Sequence, residues 1–304
     1  MVTDCGVFMK QVFWIVRYNF FGFFRNPKVI FTFLLEFVLS FLLTGKVMTV
    51  MENYHTPVQA VEPFLWTFGD GTAVLLSSLL LLLLFSDLPK MTTVTPYQLI
   101  RTTKKKWLLA QFLYVVLVTV LYTVLMLFFT SVLCMQNSYS GNLWSETAAM
   151  LGYSSLGKNL QVPSTVRVME SISPYGCMLQ VFLLLFCYSL TLSFIILAGN
   201  LYGGRAKGMV LGLFYSVFGF LLDPKVLASL LHKEEYEMYK INVLVCWISP
   251  LNHAVYQKHN LGYDPLLPKL WQSCLFFLGI LLLLGILALR RMKRYPFEFL
   301  GEKA

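Results

Sequence analysis

Residues 75–85 read Leu-Leu-Ser-Ser-Leu-Leu-Leu-Leu-Leu-Leu-Phe, and residues 276–289 read Phe-Phe-Leu-Gly-Ile-Leu-Leu-Leu-Leu-Gly-Ile-Leu-Ala-Leu. Neither run carries a charge, and neither alternates polar and apolar residues as a half-buried strand would. In hydrocarbon an unpaired peptide group has no water to turn to, so a helix that closes its own hydrogen bonds is the conformation such runs adopt. A bilayer core of about 30 Å takes roughly 20 apolar residues per helix. Six segments approach that length: about 29–48, 66–87, 107–134, 176–199, 208–222 and 271–289, the fifth being short by itself.

Composition agrees. Of 304 residues 57% are hydrophobic and only 13% are charged, about half the charged share of an ordinary soluble domain. The net charge of +9 is spread around the ends of the apolar runs rather than along one stripe, which points to an anionic membrane surface and not to nucleic acid.

Charge also orients the six runs. The segments 1–28, 88–106, 200–207 and 290–304 fall on one side and hold 16 of the 24 Lys and Arg; with Asp4, Asp87, Glu298 and Glu302 that side nets +12, and the opposite side nets −2. The positive-inside tendency makes the basic side cytoplasmic and puts both termini there, in a multi-pass protein of the plasma membrane. A seventh span over Ile241–Tyr256 would break this parity. That stretch is therefore expected as a re-entrant or surface-lying helix, interrupted at Ser249-Pro250.

The first apolar run begins near Val29 with no small-x-small site after it, so no cleaved signal is expected. Before it, Lys10, Gln11, Trp14, Arg17 and Tyr18 share one helical face, and Phe8, Phe13, Ile15, Val16 and Phe20 fill much of the rest. This pattern suits a helix lying in the interface. The chain is read as one domain: an interfacial segment 1–28, a helical bundle 29–290 and a cytoplasmic tail 291–304.

Between the second and third runs, Thr95 is placed as an N-cap and Pro96 as the first residue of a short helix reaching about Thr103. That helix displays Tyr97, Gln98, Leu99, Ile100 and Arg101 and leads into Lys104-Lys105-Lys106. It serves either as a charged anchor on the bilayer or as a docking element for a cytoplasmic partner.

Other patterns are weaker. Gly152–Lys158 fits the spacing G-x-x-x-x-G-K, yet Asn159 replaces the Ser or Thr that would ligate magnesium and no strand is expected before it, so it is read as a decoy. His55, His232, His253 and His259 show no metal-binding spacing, no G-x-S-x-G is present, and no catalytic or metal site is expected. Cys134 and Cys177 fall near the outer ends of neighbouring spans, where a bridge is geometrically conceivable. Gly199, Gly203, Gly204, Gly208 and Gly212 surround a short connection read as a tight turn. Glu36 is the acid well inside a span, and an acid at that depth is a functional candidate by default.

The arrangement resembles the type-2 ATP-binding-cassette exporter permeases. The likeness rests on Tyr97-Gln98-Leu99-Ile100-Arg101-Thr102 leading into Trp107-Leu108-Leu109, and on Ser249-Pro250-Leu251-Asn252-His253 before the last run. The resemblance implies an all-α membrane protein with six transmembrane helices, an N-terminal interfacial helix and a re-entrant outer hairpin over about 223–269. It implies a separate cytoplasmic ATPase in two copies, carrying ATP and magnesium, and a second permease chain, with no cofactor on this chain. Thr95, Tyr97, Gln98, Leu99, Ile100, Arg101 and Lys104 would couple to the ATPase. Phe68, Leu75, Ser78, Phe214, Phe218 and Phe220 would line a pathway at the dimer interface, to which Glu36 is added as the intramembrane acid. The cargo would be amphipathic or hydrophobic: a peptide, an antibiotic or a lipid. The outer segment 135–175 is longer than the family layout leads one to expect. Two other classes stay open: an ion-coupled secondary transporter, and a membrane sensor or immunity protein that binds an outer ligand without moving it.

Overall fold

The computed structural model describes residues 2–92, 94–160, 162, 166–222, 224–230, 238–295 and 297. These residues are almost entirely helical. Helix α1 (Val2–Phe20) leads through a 3-10 turn into α2 (Pro27–Tyr54). Asn26 caps α2 by accepting from Lys28 N, with Pro27 at the first helical position, where its missing N–H costs nothing.

The second apolar run breaks into α3 (Glu62–Phe68) and α4 (Gly71–Leu84), which meet at 85°. The cause is Gly69-Asp70-Gly71: Asp70 leaves the helical region and its carboxylate accepts from Thr72 N at 3.2 Å, starting a new helix. The single span expected over 66–87 is thus a bent pair.

Then come α5 (Thr95–Arg101) and α6 (Lys104–Leu133). The segment after α6 folds as α7 (Glu146–Tyr153), α8 (Leu156–Asn159) and α9 (Val166–Ser171). The long helix α10 (Pro174–Gly203) is followed by α11 (Arg205–Leu221), and Gly204 alone turns the chain at φ +83°. The remaining elements are α12 (Pro224–Leu230), α13 (Met238–Ile248), α14 (Pro250–Ala254) and α15 (Leu270–Met292).

Among the described residues four helices, α2, α6, α10 and α15, are long and apolar enough to cross a bilayer, or five spans if the bent pair α3–α4 counts as one. The fold is that of an all-helical membrane protein. Helix α11, with 17 residues, is about 25 Å long at 1.5 Å per residue, and α13, with 11, is far too short to cross.

Helix α10 is the hub, packing against α3, α4, α6, α11 and α15. Its crossing with α11 depends on glycine. A Cβ on Gly208 would sit 2.1 Å from Asn200 Oδ1 and 2.3 Å from the Ile196 carbonyl, and Asn200 fills the gap by accepting from Gly208 N and donating to the Leu88 carbonyl at 2.6 Å.

Direct contacts tie together the segments that the charge count had grouped. At the basic end Lys28 pairs with Asp87 (2.8 Å), Lys106 donates to Gln11, Lys104 donates to the Tyr295 carbonyl and Arg291 to the Leu201 carbonyl.

At the opposite end the long segment after α6 is folded onto α3. Strands β1 (Val58–Gln59) and β2 (Ser138–Tyr139) pair in parallel. Buried Glu62 accepts from Ser145 N (2.8 Å), from the Ser145 hydroxyl and from Gln59 N. Trp66 and Trp144 stack at 5.5 Å, and Trp144 donates to the Ile172 carbonyl. Cys134 and Cys177 are both buried and free, so the conceivable bridge between them is not formed.

The Ser249-Pro250 break is present: α13 stops at Ile248, and Ser249 in an extended conformation caps α14. Of the expected outer hairpin, residues 223 and 231–237 lie outside the described residues, as does His232; α12 and α13 pack through Ala228, Ile241 and Val245.

Candidate functional site

The most distinctive solvent-facing surface lies at the basic end, where α1 and α5 meet. Helix α1 is held against the start of α6 by buried Val12, Ile15 and Val16 and by the contact of Phe20 with Tyr114 (5.1 Å). Lys106 fixes the register: its ammonium donates to Gln11 at 2.8 Å and lies 5.2 Å from the Phe8 ring centre.

Helix α5 begins at Thr95 itself, so Thr95 is not the N-cap. Its side chain is buried, and its hydroxyl oxygen accepts from Thr92 N (2.8 Å), closing the loop behind the helix. Arg101 is the last helical residue; Thr102 is extended and Thr103 caps α6. The short helix thus ends two residues before the expected Thr103.

Along α5 the residues divide by role. Leu99 packs on the core, while Tyr97, Ile100 (82% exposed) and Arg101 project outward. Gln98, Arg101 and Thr102 form one wall of a recess of about 360 Å³, and Gln11, Trp14, Ile15 and Tyr18 of α1 form the other. Lys104 stands apart from this surface, because its ammonium donates to the Tyr295 carbonyl and lies over Phe297. An exposed tyrosine, an exposed isoleucine and an arginine on one short helix, beside a tryptophan-lined groove, can accept an apolar anchor and pair with a carboxylate.

The residues expected along a pathway do not come together as one lining. Glu36, Phe68 and Ser78 are buried inside the bundle, and Ser78 donates to its own helix at the Leu75 carbonyl (2.6 Å). Leu75 is half-buried. Phe214, Phe218 and Phe220 lie on the outside of α11, the first two stacked at 5.4 Å.

Glu36 is fully buried, and neither of its oxygens has a hydrogen-bond partner among the described residues; the Ser40 hydroxyl, one turn further along α2, is also unpartnered. Thr32, Glu36, Ser40 and Thr44, four residues apart, make a buried polar stripe on α2.

Sequence reasoning missed two groups. Glu62 is a buried carboxylate whose partner Ser145 is 83 residues away, although Ser145-Glu146 reads as a helix start. His253 Nδ1 and His259 Nε2 both contact Ser273 Oγ, at 2.7 and 2.8 Å, which ties the α14 segment to the first turn of α15.

The G-x-x-x-x-G-K stretch is no phosphate loop: Gly152 lies within α7 and Gly157 within α8, so the glycines fall in helices rather than in a loop joining a strand to a helix. Among the described residues no cluster of His, Cys, Asp or Glu suits a metal. No family model, no curated protein and no solved structure matches the chain.

Proposed function

We propose that this chain is the membrane-spanning subunit of an ATP-driven exporter, a permease of the type-2 ATP-binding-cassette kind, powered by a separate ATPase. The observation that carries the reading is the α1–α5 surface: a short exposed helix between the second and third apolar segments that shares a recess with α1, which Lys106 of α6 in turn ties to α6. A force applied to α5 reaches α6 through two extended residues, Thr102 and the capping Thr103.

On this reading the chain crosses the plasma membrane six times, through α2, α3–α4, α6, α10, α11 and α15, with both termini in the cytoplasm. The α12–α13 pair dips into the outer leaflet as a re-entrant hairpin. Two copies, or this chain and a related one, face each other across α4 and α11, whose outward apolar side chains include Leu76, Leu79, Phe214 and Phe218. A hydrophobic or amphipathic cargo, whether peptide, antibiotic or lipid, moves along that seam as nucleotide-driven closure of two ATPases shifts the bundle between two states. ATP and magnesium are bound by the ATPase; this chain supplies the path and no catalytic residue.

Arg101→Glu and Tyr97→Ala test the reading. Both side chains are solvent-facing, so the fold is retained, and loss of the docking contacts lowers ATP-dependent transport about ten-fold or more. Full transport in both variants contradicts it.

One observation favours a second reading. Glu36 and Ser40 place unpartnered oxygens inside the bundle, as a proton- or cation-coupled carrier requires. Under that reading Glu36→Gln abolishes uptake driven by a proton gradient; under the exporter reading it leaves ATP-driven flux intact.

A further inference from the structure

Where α15 leaves its apolar stretch, Arg290, Arg291, Lys293 and Arg294 join Tyr202 at the end of α10 to line a recess of about 390 Å³. Its construction is partly fixed. Arg291 donates through Nε to the Leu201 carbonyl (3.1 Å), its guanidinium carbon lies 5.5 Å from the Tyr202 ring centre, and the Tyr202 hydroxyl donates to the Leu287 carbonyl. The terminal nitrogens of Arg291 make no hydrogen bond among the described residues, and none of the four cations has an ion-pair partner there, the single pair being Lys28–Asp87.

An apolar track leads to the same place. Leu278, Leu282, Ile286 and Leu289 are all exposed and, spaced by four, four and three residues, form one face of α15 that runs into Arg290 and Lys293. Four cations at the foot of an exposed hydrocarbon-facing stripe match a molecule with a phosphate at one end and acyl chains at the other.

We propose that this recess binds an anionic phospholipid, with the headgroup phosphate held by the arginine forks and an acyl chain laid on the α15 stripe. Arginine suits the task because its planar donors engage phosphate oxygens in pairs, and basic recesses between membrane helices are where anionic headgroups gain most over neutral ones. The bound lipid staples α10 to α15, the two helices joined here by Arg291. The proposal depends only on the membrane character of the fold and not on the transport reading.

The test is native mass spectrometry of the full chain in mixed micelles of phosphatidylglycerol and phosphatidylcholine. The expected result is phosphatidylglycerol retained about ten-fold over phosphatidylcholine, a preference lost in Arg290→Gln/Lys293→Gln/Arg294→Gln and reduced but still present in Arg290→Lys/Arg294→Lys, which keeps the charge and removes two of the three forks. A control triple change among other exposed cations, Lys10→Gln/Arg25→Gln/Lys105→Gln, keeps it. Equal loss in the control, or no loss in the recess variant, overturns the proposal in favour of diffuse surface charge. Displacement of phosphatidylglycerol by millimolar inorganic phosphate overturns it in favour of a free-anion site.

Discussion

The pair His253 and His259 shows how a few atoms set a pH response. Four contacts run in series: His253 Nε2 to the Trp247 carbonyl at 3.0 Å, His253 Nδ1 to Ser273 Oγ, Ser273 Oγ to His259 Nε2, and His259 Nδ1 to the Val255 and Tyr256 carbonyls. Each contact needs a proton, and two neutral imidazoles with one hydroxyl supply one too few, so the closed arrangement is never fully satisfied while both rings are neutral. Burial nonetheless holds both rings toward the neutral form, His253 below the usual range and His259 down to about 4, the neighbouring His253 adding to the effect on His259. The carboxylates of this end do not offset it: Asp264 accepts from Tyr239, and Glu170 from Tyr263. Released into water, both rings return to about 6.5. The closed form therefore binds fewer protons, and the stability it contributes is complete above about pH 6.5 and is lost as pH falls toward about 4. Protection of residues 250–269, taken relative to the intrinsic amide exchange rate at each pH, should fall between pH 7.5 and pH 5 while that of α6 and α10 is unchanged. Greater protection of 250–269 at pH 5 would contradict the sign. At another single residue, Gly208→Ala drives a Cβ into the Ile196 carbonyl and Asn200, so the thermal midpoint in detergent should fall by several degrees while Gly279→Ala, with open space around its Cα, leaves it unchanged.

At the scale of elements, the legible parts were those decided by chemistry close in sequence. Apolar length located α2, α6, α10 and α15, and Ser249-Pro250 marked a break that is present. The bend at Gly69-Asp70-Gly71 was equally readable as a helix stop followed by an N-cap, but the hydropathy of the run hid it. What could not be read is contact at long separation: the Glu62–Ser145 tie, the single β1–β2 pairing and the Trp66–Trp144 stack that fold the outer segment on α3. The same holds for the residues expected to couple to an ATPase, where the sequence located α5 but not the engagement of Lys104 with Tyr295. Glu62→Ala removes the acceptor of two buried backbone N–H groups and one hydroxyl, which costs about 1–3 kcal/mol for each group left unpaired. Limited proteolysis should then cut within 140–172 in the variant and spare it in the wild type, with the four long helices intact in both.

For the whole molecule, the arrangement has a direction. The segments that the charge count assigned to the basic side, 1–28, 88–106, 200–207 and 290–295, are joined by Lys28–Asp87, Lys106–Gln11, Asn200–Leu88 and Arg291–Leu201, while the Glu62 and histidine ties close the other end. On the exporter reading proposed above, the exposed α5 with α1 at the basic end is the surface that would take the push. The most direct measurement places a photo-crosslinking residue at Ile100, whose side chain projects outward from α5, in intact cells, and identifies the adduct by mass spectrometry. The account predicts a soluble ATPase with a phosphate-binding loop, crosslinked in wild-type background and lost with Arg101→Glu. Labelling of position 100 by a membrane-impermeant reagent from outside the cell, or a crosslink only to lipid, would contradict it.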